Sequence, residues 1–339
     1  SAQIVASRCI GLSDSDEVIV PAFTWISTAN AAEHLGARPV FVDIDLDTFN
    51  LDASLIDKTI THKTKAIFPV NLFGLPADLA QIQNIALKNN LSVVEDCACS
   101  LGGSIQGRHT GTFGDCGCFS LHPRKSITTG EGGVLVTSDE KIYKLARSLR
   151  EHGADISDYE RHKKKAGFLL PAYKYLGYNF RLTDIQAAIG VAQMKKIDEI
   201  LQKRKELAQI YSRELASCDF LMIPAAGYAS AHAYQAYVCL FMPQEISRMI
   251  ETSDYSLIDG LHEKRNNFMM RLGESGIATR PGTHAVHIQE YYARKYFLKP
   301  FDFPKAYIAD KLSIAFPLYP GMSEAEQSYV IENIKKCAV

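Results

Sequence analysis

The sequence has a single tryptophan, almost no net charge and no apolar run long enough to cross a bilayer. Each scarcity removes a class of function. With 37 Lys and Arg against 38 Asp and Glu, the formal charge is −1, so no long-range field draws the chain to nucleic acid or to an anionic membrane surface. No stretch of about 18 or more apolar residues occurs, which excludes a transmembrane helix. The start of the chain lacks a charged n-region followed by an apolar h-region. Its eight cysteines therefore read as free thiols of a reducing compartment, with the cytoplasm as the expected location. The pairs Cys97/Cys99 and Cys116/Cys118 are each spaced by one residue. In a strand that spacing only sets two small side chains on one face, and no metal is expected.

What remains is an ordinary globular composition, 47% hydrophobic and 22% charged over 339 residues, enough for a large core. Short apolar strands alternate with helices. Glu17–Pro21, Pro39–Asp43, Lys65–Val70 and Leu91–Glu95 read as strands, and Cys116–Ser120 and Gly133–Thr137 as two more. Helices are expected over Ser1–Ile10, from Ala29 to Leu35 with Thr24 as cap, over Asp78–Lys88 and Asp139–Glu151, and as one long element from Leu182 to Leu215. The alternation predicts an α/β fold with a parallel or mixed sheet covered on both faces and ligands at the carboxyl ends of its strands. From His152 to Tyr178, with the run Lys163 to Lys165, the chain reads as an exposed, solvated excursion. A strand at Gln235–Phe241, a helix near Ile258–Gly276, a strand at Leu312–Phe316 and a last helix from Ser323 make a smaller α+β part. The domains are thus 1–215 and 216–339.

The stretch from Gly114 to Ser138 carries the chemistry. Lys125 sits there between a strand ending on Ser120 and the turn Thr128-Thr-Gly-Glu-Gly-Gly133, where apolar neighbours favour burial and glycines let backbone approach a ligand. A lysine in such a place can form a Schiff base with a carbonyl compound. Asp96, just past a strand end, could hold the proton of a pyridine nitrogen, and Ser120 could bind a phosphate. The three together suit pyridoxal 5′-phosphate (PLP). Structural readings stand beside these: an Asp96–Lys125 salt bridge, a core-filling Trp25, a Ser120 that satisfies a strand end, a turn and surface ion pair at Asn179 and Arg181, and packing roles for His122 and His287.

The chain resembles the DegT/DnrJ/StrS family of PLP-dependent sugar aminotransferases. The marks are Asp16-Glu-Val-Ile-Val-Pro-Ala-Phe-Thr-Trp25, Pro39-Val-Phe-Val-Asp-Ile-Asp45, Val94-Glu-Asp96, Phe119-Ser-Leu-His-Pro-Arg-Lys125, Thr129-Gly-Glu-Gly-Gly133, Gly177-Tyr-Asn-Phe-Arg-Leu-Thr-Asp-Ile-Gln-Ala-Ala188 and Pro317-Leu-Tyr-Pro-Gly321, in order along nearly the whole chain. The resemblance implies the fold-type I architecture, a large, mostly parallel seven-stranded sheet with a smaller α+β domain. It implies that Lys125 holds PLP as an internal aldimine, that Asp96 pairs with the ring nitrogen, that Ser120 binds the phosphate and that Trp25 stacks on the ring. Asn179 would reach the neighbouring subunit's cofactor in a homodimer, with Arg181 close by. His122, Arg181 and His287 would face the substrate. The implied reaction moves an amino group from glutamate, by way of pyridoxamine phosphate, to a nucleotide-linked ketosugar, a 4-keto-6-deoxyhexose for surface polysaccharide or a glycosylated natural product.

Two departures bear on that expectation. The family usually places Gln or His against the cofactor ring where this chain has Cys99. Similar proteins also carry some tens of residues before the position of Ser1, including a Gly-Thr pair that cradles the phosphate. Two other functions follow: a PLP-dependent nucleotide-sugar dehydratase, which would carry His at the place of Lys125, and a homologue that binds cofactor or sugar nucleotide without turnover.

Overall fold

Six short strands, each close to a continuous apolar run, build the central sheet. They are β1 (Glu17–Pro21), β2 (Arg38–Val42), β3 (Thr64–Ile67), β4 (Ser92–Asp96), β5 (Cys116–Ser120) and β6 (Gly133–Val136). A computed structural model describes residues 1–155, 163, 170–225 and 230–337. The strand order is β2-β1-β3-β4-β5-β6. All neighbours run parallel except β5 and β6, which pair antiparallel with Phe119 opposite Val134. Val18, Ile19 and Val20 of β1 are fully buried, as expected for a strand covered on both faces. The described residues thus hold six strands in this sheet, where seven were expected. Other extended residues pair instead as short ribbons, such as Ser104–Ile105 with Arg108–His109.

Helices α1 (Ala2–Cys9), α2 (Ser27–Glu33), α3 (Leu79–Asn89) and α4 (Glu140–Leu149) belong to this part. Helix α3 shows why the sequence folds as it does. Asp78 caps its first turn by accepting from the Gln81 N–H, Leu79, Ile82, Ile85 and Ala86 form its buried stripe, and Asn90 ends it in the left-handed region.

Two sequence expectations fail locally. Thr24 does not cap α2, because it is still in a strand: Phe23–Thr24 pairs with His284–Ala285, and the helix starts after Ile26 without a side-chain cap. The long helix is two, α5 (Asp184–Met194) and α6 (Ile197–Leu215), because Lys196 leaves helical geometry at φ −109° and ψ 5°. The two bury different amounts. α5 has a Thr183–Gln186 capping box but no buried residue, whereas α6 buries Arg204, Leu207, Ala208, Tyr211 and Leu215. Of the expected lysine run only Lys163 is among the described residues, and it is exposed.

The C-terminal part packs α7 (Pro243–Thr252), α8 (Ile258–Glu274), α9 (Glu290–Tyr296), α10 (Pro304–Leu312) and α11 (Glu324–Lys336) around an antiparallel sheet. Its strands are β7 (Leu221–Met222), β8 (Tyr237–Phe241) and β9 (Ser313–Phe316), in that order. It shares one core with the central sheet: Val20, Phe73, Tyr211, Phe241 and Phe268 belong to the same cluster of buried side chains. Helix α6 is pinned to it where Gln327 Nε2 donates to the Leu207 carbonyl at 2.7 Å and Tyr211 donates to the Pro317 carbonyl at 2.9 Å. Asp43 makes the reverse connection, accepting the Lys305 and Ala306 N–H groups at the start of α10.

Candidate active site

Because β1, β3, β4 and β5 run parallel, their carboxyl ends share one edge, and the residues that follow them collect there. Asp96 is the last residue of β4 and is 4% exposed. Gln3 Nε2 and Thr28 Oγ1 donate to its Oδ2 at 2.5 and 2.6 Å, and the Ala98 N–H donates to Oδ1 at 3.0 Å. A carboxylate has about four acceptor positions, so this one keeps room for a further donor. Neighbouring Glu95 points to the other face of the strand. It accepts the Gly111, Phe113 and Gly114 N–H groups at 2.7, 2.7 and 2.9 Å and so fastens the loop that leads into β5.

Lys125 lies in the connection between β5 and β6. That connection is tied to itself by backbone: Leu121 donates to the Gly132 carbonyl, Thr129 to that of Leu121, and Lys125 to that of His122. Gly130, at φ +81°, takes the left-handed turn that β-carbon-bearing residues resist. The Lys125 side chain is half-buried, and its Nζ lies 3.2 Å from Cys99 Sγ. Among the described residues Lys125 forms no ion pair, so the salt bridge to Asp96 is not how either charge is held.

Trp25 is 52% exposed and is not core filling. Its ring lies 5.8 Å from that of His284 and 6.0 Å from the Arg124 guanidinium. Two links draw the C-terminal part over this edge: the pairing of His284–Ala285 with Phe23–Thr24, and a Gln235 Nε2 bond to the Arg124 carbonyl at 2.8 Å. Arg280, held by a backbone bridge to Ala315, is near enough to Arg124 and Cys99 to interact electrostatically with both.

The other sequence-derived candidates divide. Ser120 Oγ accepts the His122 N–H at 3.3 Å, the local strand-end role. His122 Nδ1 accepts the Arg124 N–H, and its Nε2 lies 3.8 Å from the Glu131 carboxylate. Asn179 and Arg181 are exposed on a segment held to the end of α4 by bonds from His152 to the Tyr178 carbonyl and from Phe180 to that of Arg150. His287 is not brought to this edge. It is fully buried, donates from Nε2 to the Pro300 carbonyl at 3.0 Å and packs on Phe303. Sequence reasoning missed Gln3, Thr28, Arg124 and His284. Only Thr28 left a signal, a hydroxyl among the small buried residues Ala29, Ala31 and Ala32 of α2.

The donor set fits PLP: a buried carboxylate with a vacant acceptor position, and an amine free of any carboxylate, on one sheet edge. No group of three or more His, Cys, Asp or Glu among the described residues could hold a metal ion. The lining of a crevice bounded by Phe49, Phe73, His232 and Val238 includes none of Asp96, Ser120 or Lys125.

Residues 1–335 match the sequence profile of the DegT/DnrJ/EryC1/StrS aminotransferase family. GDP-perosamine synthase of Escherichia coli O157:H7 is 34% identical over 335 residues, 98% of this chain and 82% of that protein. An aminotransferase from Psychrobacter cryohalolentis superposes with a TM-score of 0.88 at 26% identity, covering 99% of this chain and 84% of the other. A Streptococcus pneumoniae protein assigned as a sugar aminotransferase has been solved in PLP and PMP forms. The PMP form superposes at 0.87 with 28% identity, covering 99% and 85% of the two chains.

Proposed function

Since the chain belongs to the DegT/DnrJ/EryC1/StrS family of PLP-dependent sugar aminotransferases, we propose that it moves an amino group from glutamate to a GDP-linked 4-keto-6-deoxyhexose. The observation that carries this reading is the pair Asp96 and Lys125, on one sheet edge and not bonded to each other. Bound PLP supplies an electron sink for a carbanion. In this reading Asp96 would keep a proton on the ring nitrogen, and Gln3, Thr28 and the Ala98 N–H hold the carboxylate in place. With PLP bound, Lys125 would anchor it, and its amine would take the proton from the donor's α-carbon and later return one at the aminated sugar carbon. Trp25 covers a ring face, Cys99 lies beside Lys125, Ser120 and Asn179 serve the phosphate, and His122 and Arg181 face the sugar nucleotide. The GDP assignment follows the name of the Escherichia coli relative, and the 4-keto-6-deoxyhexose follows from the family resemblance.

A second copy of the chain completes the site. Ile185, Ile189, Val191 and Met194 leave α5 with an exposed apolar surface, next to Leu182 and the segment that carries Asn179. So much uncovered aliphatic area at one place marks an association surface. The protein then works as a cytoplasmic homodimer whose aminosugar enters polysaccharide or natural-product glycosylation. Lys125, which is lysine rather than histidine, favours transamination over dehydration.

The test is a visible absorption spectrum of the protein with PLP, before and after glutamate, followed by the GDP-ketosugar. A band that glutamate bleaches and the ketosugar restores supports the reading. A band insensitive to glutamate removes the donor, and no band removes catalysis in favour of a binding homologue.

A further inference from the structure

Cys99 is the one thiol that touches the reactive amine, and this contact has a chemistry of its own. We propose that Cys99 and Lys125 form an oxidation-sensitive pair that closes into a reversible sulfur–nitrogen link whenever Lys125 is free of cofactor. The Sγ–Nζ separation is 3.2 Å, so bond formation needs only a small approach of two side chains already in contact. Cys99 is half-buried and so within reach of a small oxidant. The other thiols nearby are poor competitors. Cys97, Cys116 and Cys118 are buried, and burial raises the pKa of each, to about 12 for Cys116.

The oxidant is hydrogen peroxide. The thiol attacks one peroxide oxygen, the O–O bond breaks, and Cys99 becomes a sulfenic acid with release of one water. The Lys125 amine then attacks that sulfur. The S–N bond forms as the S–O bond breaks, the nitrogen gives up a proton and a second water leaves. Sulfur has lost two electrons, which the peroxide has taken up. A dithiol reverses the step, regenerating thiol and amine while becoming a disulfide itself. Because the link consumes the amine that holds PLP, cofactor protects against it and the oxidised protein cannot be loaded.

The experiment uses the full chain, freed of cofactor or loaded with PLP, treated with hydrogen peroxide and digested for peptide mass analysis. The expected result is a cross-linked pair of peptides containing residues 99 and 125, lighter than their sum by two hydrogens. It should vanish with dithiothreitol and be much reduced in the PLP-loaded sample. Cys99→Ser should abolish the link while leaving peroxide without effect on later uptake of the visible PLP band. The proposal is overturned if Cys99 accumulates only as sulfinic or sulfonic acid beside an unmodified Lys125, or if Cys99 is not oxidised. Mass alone decides these outcomes, so they stand whether or not the protein aminates a sugar.

Discussion

Lys125 and the donors around Asp96 make separable demands on single residues. Lys125→Ala should lower kcat by at least about 1000-fold, the scale of a lost general base, and remove the visible band formed with PLP; a rate assay and a spectrum check both. Thr28 tests the support of Asp96 without touching the ring. Thr28→Val keeps the shape of the side chain but removes the 2.6 Å bond to a buried carboxylate, a loss of about 1.5–3 kcal/mol. PLP titration should accordingly show affinity weaker by roughly 10- to 100-fold. A Thr28→Ser protein, which keeps the hydroxyl, should lose far less. Among the candidate residues, the places of Asp96 and Ser120 at strand ends and of Lys125 in the following connection were legible from the apolar runs and the glycines. Gln3, Arg124 and His284 were not, since their partners Asp96, Trp25 and Thr24 lie 93, 99 and 260 residues away in the chain.

At the scale of elements, strand and helix cores followed the pattern of apolar residues, while ends and breaks followed contacts that no local pattern encodes. α3 and α11 were readable because each carries its own cap, Asp78 and Ser323. Thr24 looks like a cap in isolation, but pairing with His284 keeps it extended. The break at Lys196 lies in a run of good helix formers, so propensity could not mark it. One junction is decided by sterics. A β-carbon on Gly117 of β5 would lie 2.3 Å from the Gly111 backbone, in the loop that Glu95 holds. Gly117→Ala should therefore destabilise the protein by about 1–3 kcal/mol, read as a lower denaturation midpoint, with the loop leading into β5 displaced.

For the molecule as a whole, the shared core makes stability a joint property of its two parts, and His287 gives that property a pH dependence. Burial lowers the pKa of His287, the chief effect, and the Pro300 carbonyl and Asp43 oppose it only in part. A histidine whose folded pKa is depressed stabilises the fold when neutral. That contribution is present above the unfolded value of about 6.5 and is lost as pH falls below it. Asp43 acts in the opposite sense, because burial raises its pKa and acid favours its neutral form. The thermal unfolding midpoint, followed from about pH 8 to about pH 5, should fall for the wild type and fall less steeply for His287→Gln. The solitary indole offers one last use. Trp25 stands at the mouth of the site, so every photon of tryptophan emission from this protein originates beside Arg124 and His284. A fluorimeter aimed at the intact chain is therefore a local instrument, able to time the arrival of an absorbing cofactor without any attached dye.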